Sequence, residues 1–116
     1  MSFLKYKGLY LTIAIASFIL FLSLQPMKEE NTELLVSDKL LHIIAYGVMV
    51  LPVLLERVFP QLLICIIALG YGGLIELIQP IWGREADTMD FIANAVGIIL
   101  GFIISQGYSL ILKVKP

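Results

Sequence analysis

Residues able to do chemistry are concentrated in three short stretches of the sequence. In the first, Lys39, His42 and Tyr46 share one stripe of a helix at about 100° per residue, and Asp38 lies one turn before His42. A histidine beside a lysine can contact phosphate, and it can also act as a general base. In the alternative structural interpretation, Ser37 caps this helix, and His42 and Tyr46 are satisfied interface residues.

The second stretch contains Glu76 and Gln79, whose i, i+3 spacing puts them on one helix face. Glu76 lies about 6 Å along the helix axis from Pro80, too deep for a short carboxylate to reach bulk water easily. We therefore expect Glu76 to be paired or protonated. Its role is either functional or that of a structural ion pair with Lys39 or Arg84.

The third stretch begins with Arg84, whose planar guanidinium suits phosphate or carboxylate, or alternatively an ion pair within its loop. Asp87 and Asp90 have the spacing of a helix N-cap and its first-turn support. A narrow stripe of the following helix then carries Asp90, Asn94, Gly97, Gly101 and Tyr108. The small residues Gly97 and Gly101 let another helix approach closely, so this stripe is predicted to face other helices.

The composition determines what kind of elements position these residues. Hydrophobic residues make up 59% of the 116, charged residues only 15%, and the mean hydropathy is +0.96. A soluble core of this size cannot bury that much apolar surface, which excludes a soluble enzyme and a disordered chain. A net charge of −1 supplies no basic field for nucleic acid. The single cysteine, Cys65, cannot form an internal disulfide.

Four hydrophobic segments are long enough to cross a bilayer, at about 8–25, 39–55, 61–79 and 90–112. They predict a single all-α domain over 1–116, a polytopic membrane protein built as an antiparallel bundle of four transmembrane helices. The first segment follows Lys5 and Lys7 but lacks a small-x-small cleavage site, so we interpret it as a retained signal anchor.

The distribution of positive charge predicts the orientation of the bundle. Five basic residues fall on the side of the two termini: Lys5, Lys7, Arg57, Lys113 and Lys115. Three fall on the opposite side: Lys28, Lys39 and Arg84. Both termini are therefore predicted to be cytoplasmic. The three polar stretches then meet near the outer headgroup layer and form one polar pocket.

The combined spacing of these residues resembles the VanZ-like family of small bacterial integral membrane proteins. The resemblance covers about 37–101 and rests on Asp38-Lys39-x-x-His42-x-x-x-Tyr46, then Glu76-x-x-Gln79, then Gly83-Arg84-x-x-Asp87-x-x-Asp90-x-x-x-Asn94-x-x-Gly97-x-x-x-Gly101. It implies a protein of the bacterial cytoplasmic membrane. The name-giving member is associated with resistance to the glycopeptide teicoplanin, which suggests action on a lipid-anchored envelope component.

The leading hypothesis is a protein that recognises or remodels an anionic lipid headgroup or a lipid-linked envelope precursor. Cationic side chains would contact its phosphate: Lys39, His42 and Arg84. Other polar side chains would hold hydroxyl groups or orient the cations: Glu76, Gln79, Asp90 and Asn94. This hypothesis includes no cofactor, no metal and no catalysis.

Two alternatives belong to other classes. An intramembrane hydrolase or transferase would use His42 as general base together with Glu76 and Asp90. Asp38 or Glu76 would orient the imidazole, and Arg84 would stabilise the developing charge. A variant in which Asp87, Asp90 or Glu76 joins His42 on a divalent metal is weakened by the single histidine and the lack of a usable cysteine. A structural or assembly subunit would instead use the polar residues to join helices and would bind protein partners in the membrane.

The predicted orientation can be tested by cysteine labelling. A cysteine introduced at Ser37 or Glu85 should react with a membrane-impermeant maleimide added from outside the cell, because both positions lie in the outward loops. The unmodified chain, which contains only Cys65, serves as the blank. Labelling from the cytoplasmic side alone would invert the predicted topology.

Overall fold

The computed structural model describes residues 5–25, 38–82 and 88–112, and these ranges contain four α-helices and no strand. The helices are α1 (Lys7–Ser23), α2 (Asp38–Glu56), α3 (Gln61–Ile78) and α4 (Thr88–Leu112). A single 3₁₀ turn, Gln79–Trp82, follows α3 directly. The predicted all-α four-helix architecture is thereby confirmed.

Three of these helices are long and apolar enough to cross a membrane: Lys39–Glu56, Gln61–Ile81 and Thr88–Leu112. Helix α1 is also apolar but has only 17 residues, or about 26 Å at the α-helical rise. The outer surfaces of the long helices carry large exposed aliphatic side chains such as Leu62, Leu77 and Leu110. Exposed apolar surface on this scale is typical of side chains that face lipid. The membrane crossing of α1 itself stays a prediction.

Helices α2 and α4 run parallel and touch backbone to backbone. A Cβ added to Gly97 would collide with the Ile43 carbonyl oxygen of α2. A Cβ on Gly101 would lie 2.6 Å from Val50 Cγ2 and 3.2 Å from the Gly47 oxygen. Small residues one turn apart on α4 therefore permit the closest helix contact in the described part of the bundle.

The other two helices run antiparallel to this pair and complete the bundle in the order α1, α2, α4, α3. Helix α1 lies on α2, where the Thr12 hydroxyl donates to the Met49 carbonyl (2.7 Å) and accepts from the Val53 amide (3.2 Å). These are the i and i+4 backbone groups of a helical turn that contains Pro52. A proline disturbs the backbone ladder at this point, so a hydroxyl from the neighbouring helix provides compensating hydrogen bonds.

The end of the bundle that contains the α2–α3 connection, here called the turn end, is closed by carboxylate capping. The Glu56 carboxylate, at the last residue of α2, accepts hydrogen bonds from the amides of Gly8 (2.6 Å) and Leu9 (3.1 Å). These amides belong to the first turn of α1 and have no intrahelical partner. A negative charge here also stabilises the positive end of the α1 dipole.

Arg57 connects the turn end to α4. It follows α2 directly and has a left-handed backbone conformation, with a φ of 59°. Its Nη2 donates to the Ser105 hydroxyl (2.9 Å) and to the Ser105 carbonyl. The Ser105 hydroxyl in turn donates to Gln61 Oε1 (3.2 Å), at the start of α3. Hydrogen bonds at the turn end therefore connect all four helices.

The α2–α4 contact predicts a sharp difference between two glycines of the same helix. Gly97→Ala should destabilise the protein by about 1–3 kcal/mol, because its methyl group meets α2 backbone that cannot rotate away. Gly107→Ala is the matched control, since nothing lies within 4 Å of the position of its Cβ. It should be neutral or stabilising by up to about 1 kcal/mol through helix propensity. Unfolding in detergent measures both, and equal stability of the two variants would contradict the contact.

Candidate functional site

The candidate site is built around Asp90, in the first turn of α4, at the end of the bundle opposite to the turn end. This end, where α2 and α4 begin and α1 and α3 finish, is here called the polar end. The Asp90 residue is only 5% exposed. Its Oδ1 lies 2.7 Å from the Lys39 Nζ, which donates to it, and its Oδ2 lies 3.8 Å from the His42 Nε2. One buried carboxylate thus faces two basic side chains of α2.

The burial of these groups is unequal. The Lys39 side chain is 39% exposed and the His42 side chain 18%, whereas the Asp90 side chain is 7% exposed. The negative group therefore lies inside the bundle and the ammonium group extends towards its surface. A carboxylate buried to this degree needs a charged or hydrogen-bonding partner, and Lys39 provides one. Asp90 also stabilises the N-terminal end of the α4 dipole.

One helical turn deeper, Tyr46 of α2 and Asn94 of α4 are buried at 2% and 3% exposure. Gly72 of α3 makes room for both, since a Cβ there would lie 2.9 Å from Asn94 Nδ2 and 3.2 Å from Tyr46 Cε2. The Asn94 Oδ1 is buried and has no hydrogen-bond partner among the residues that the structure describes. A buried amide oxygen of this kind costs about 1–3 kcal/mol, and it offers an acceptor to any donor that can reach it.

The two polar residues of α3 have different surroundings. Glu76 is half-buried one turn after Gly72 and close enough to Tyr46 for the two side chains to interact electrostatically. Gln79 is buried at 2% exposure, and its Nε2 donates to the Ser23 carbonyl at the end of α1 (3.1 Å). The amide of Gln79 therefore joins the ends of α1 and α3, and Glu76 lies beside the Tyr46–Asn94 layer.

A cleft of about 180 Å³ opens between α1 and α2 at the polar end. His42 and Tyr46 line it together with Ser23 and apolar side chains of both helices. The cleft therefore brings His42 and Tyr46 together on one concave surface between these two helices.

Several predicted site residues lie outside the residues or side chains that the structure describes. Gly83, Arg84 and Asp87 fall in the gap between 82 and 88, and no side-chain position is described for Asp38. Their predicted roles stay predictions.

The predicted inward position of Tyr108 is wrong, because its side chain is 44% exposed. The buried face of α4 runs through Gly101, Ser105 and Ser109, a spacing of four residues. At about 100° per residue, this spacing turns the contact face by about 40° at each step, so Tyr108 is left on the outside.

Three polar contributions were missed by sequence reasoning: the Thr12 hydroxyl at the turn containing Pro52, the Arg57 contact with α4, and the buried pair Ser105 and Ser109. The pair did leave a signal. Two serines four residues apart in an otherwise apolar helix indicate a polar face. Ser105 is fully buried and Ser109 is 2% exposed, which places that face inside the bundle.

Chemically, the site combines a histidine that a carboxylate can orient, an exposed ammonium group and an unpaired amide oxygen. Within the described ranges, no three His, Cys, Asp or Glu side chains group closely enough to hold a metal ion. The arrangement can bind an anion and hydroxyl groups, and His42 can accept a proton.

The fold and this site define a class: a small all-α membrane protein with a cluster of neighbouring polar side chains at one end of its bundle. Within that class, the VanZ/LLP1 family model matches residues 8–112, and the chain belongs to this family. No curated protein and no solved structure matches the chain.

The unequal burial of Lys39 and Asp90 predicts an asymmetric response to mutation. Lys39→Met leaves a buried carboxylate without its ammonium partner and should lower the free energy of unfolding by about 1–3 kcal/mol. Asp90→Asn should cost less, because the half-exposed ammonium group can turn to water. The double variant should be more stable than the sum of the single losses predicts. Denaturation of all four proteins in one detergent measures the coupling, and strict additivity would contradict a direct ion pair.

Proposed function

We propose that the polar end recognises the anionic headgroup of a membrane lipid or of a lipid-linked envelope precursor. In this proposal, the polar end lies at the outer face of the bacterial cytoplasmic membrane and both termini are cytoplasmic. The observation that carries the proposal is the arrangement of Lys39 and His42 around the buried Asp90, with a cleft between α1 and α2 that His42 lines.

The electrostatics of this arrangement favour an anion. The Asp90 carboxylate lies inside the bundle, and the Lys39 ammonium lies nearer its surface, so an arriving anion meets the positive group first. A lysine ammonium donates up to three hydrogen bonds, one of which goes to Asp90 Oδ1. In the proposal, a phosphate contacts Lys39 while Asp90 continues to orient it. Charge-assisted hydrogen bonds to phosphate are among the stronger polar interactions.

The neighbouring groups suit the remainder of a headgroup. In the proposal, His42 and Arg84 add to the phosphate contact, with Asp38 and Asp87 orienting these cations. Hydroxyl groups of a glycerol or sugar would meet the polar side chains of the deeper layer and of α3: Tyr46, Asn94, Glu76 and Gln79. The unpaired Asn94 Oδ1 is an acceptor suited to such a hydroxyl.

An intramembrane hydrolase or transferase on the same lipid is the second candidate, and the position of Asp90 relative to His42 favours it. Asp90 Oδ2 lies 3.8 Å from His42 Nε2, beyond hydrogen-bonding distance, so in such an enzyme the carboxylate would move closer to orient the imidazole as a general base. Such an enzyme would lose turnover in His42→Gln and keep its lipid. An assembly subunit, the third candidate, would instead purify in mild detergent with a protein partner at fixed stoichiometry.

Lipid retention in native mass spectrometry tests the proposal, using protein from nanodiscs of phosphatidylglycerol and phosphatidylcholine. The wild type should retain phosphatidylglycerol preferentially, and Lys39→Met should lose about tenfold in retention because it removes the first charge that the phosphate meets. Lys5→Ala is the matched control, since it removes an exposed lysine near the turn end.

Asp90→Asn separates binding from folding. It disturbs the same ion pair but keeps the Lys39 cation, so the retention of phosphatidylglycerol should fall less than in Lys39→Met, which removes the cation itself. Equal losses in Lys39→Met and Asp90→Asn would mean that the pair is only structural. Equal retention of both lipids by every protein would exclude headgroup recognition.

A further inference from the structure

A groove of about 1110 Å³ lies on the outside of the bundle, between α3 and α4. Its walls are almost entirely apolar, with side chains such as Ile66, Leu74 and Phe91. Gly70 lines the groove as well, and nothing lies within 4 Å of the position of its Cβ. The two helices approach each other near the polar end, where a Cβ added to Gly73 would lie 3.3 Å from Phe91 Cε1.

The groove has one polar end. Glu76 of α3 and Thr88 of α4 line it there, whereas the side towards the turn end is lined by aliphatic residues. The groove therefore has the polarity of an amphiphile, with an acceptor and a hydroxyl group at one end and hydrocarbon along the remainder. Glu76 also interacts with Tyr46, so this polar end adjoins the layer beneath His42.

The length of the groove indicates what can fill it. From Ile66 to Leu77 it follows α3 for about 17 Å at the α-helical rise. This is close to half of the ~30 Å hydrocarbon core, which is the depth of one leaflet. A transmembrane helix of a second copy would need the full thickness, and its apolar surface would face the Glu76 carboxylate at a considerable cost.

We infer that the α3–α4 groove holds a hydrocarbon chain of the lipid whose headgroup binds at the polar end. This inference rests on the proposed function and adds a substrate class to it: a lipid with a long chain, recognised along one leaflet as well as at its phosphate. Glu76 and Thr88 meet hydroxyl groups of the headgroup where the chain enters the groove. The surrounding lipid is as apolar as the groove, so the hydrophobic effect does not favour binding of the chain. Close van der Waals packing against the groove walls favours it instead.

The test compares the affinities of dioctanoyl and dipalmitoyl phosphatidylglycerol for the purified protein in one detergent, by native mass spectrometry. Wild type should bind the dipalmitoyl form about fivefold more tightly, or ~1 kcal/mol. Gly70→Leu fills the groove from a position with open space around it and should remove this difference. Gly107→Leu adds the same side chain at an equally open position outside the groove and should keep it.

A second groove variant keeps the test valid if Gly70→Leu fails to fold. Leu74 is 62% exposed and lines the groove, so Leu74→Trp narrows it without entering the bundle interior and should also reduce the chain-length preference. Lys39→Met should lower the affinity for both lipids and leave their ratio unchanged.

The outcomes separate the two proposals. If the ratio persists in Gly70→Leu and Leu74→Trp, or falls equally in Gly107→Leu, the groove does not hold the chain, whatever Lys39→Met does. If Lys39→Met binds both lipids like wild type, the proposed headgroup site is wrong even where the groove variants behave as expected. A dimer in the wild-type spectrum that Gly70→Leu converts to a monomer would make the groove an interface between copies and overturn the inference.

Discussion

The backbone contact between α2 and α4 is the constraint on which the remaining structure depends. Lipid chains are as apolar as leucine, so no hydrophobic force draws helices together within a bilayer. Close packing and hydrogen bonds must do so instead. Gly97 against Ile43 and Gly101 against Gly47 bring the two backbones together and determine their register. That register places Asp90 opposite Lys39 and, one turn deeper, Asn94 near Tyr46.

The polar side chains also stabilise this register of α2 and α4, because their pairing is possible only when the two helices are aligned in this way. The Asp90 carboxylate is buried and paired with Lys39, so a slip of α4 along α2 would leave it buried without that partner, at a cost in stability. At the turn end, the Glu56 carboxylate binds the start of α1 and the Arg57 guanidinium binds Ser105 of α4, so these charged groups also fix the positions of the helices. Each end of the bundle is therefore closed by charged groups, while the middle is held by small residues.

Much of this architecture could be predicted from the sequence because it depends on local patterns. The observed helix bounds lie within two residues of the predicted segments, since hydrophobic runs and their polar ends mark them clearly. The stripe of Lys39, His42 and Tyr46 also follows from helical periodicity alone. What periodicity cannot supply is the rotation of one helix relative to another. For that reason the sequence pattern does not identify the Lys39–Asp90 pair, and it wrongly predicts that Tyr108 lies on the inward face of α4.

Headgroup recognition by Lys39 can be tested through the distance between its Nζ and lipid phosphorus, measured by ¹⁵N–³¹P solid-state NMR of the lysine-labelled protein in phosphatidylglycerol bilayers. The lysine signal that Lys39→Met removes identifies the resonance. We expect phosphorus irradiation to dephase this nitrogen signal at a rate that corresponds to a hydrogen-bonding distance between Nζ and a phosphate, with Lys39 still paired to Asp90. A Lys39 nitrogen in contact with the Asp90 carboxylate but remote from any phosphorus would contradict headgroup recognition at this site.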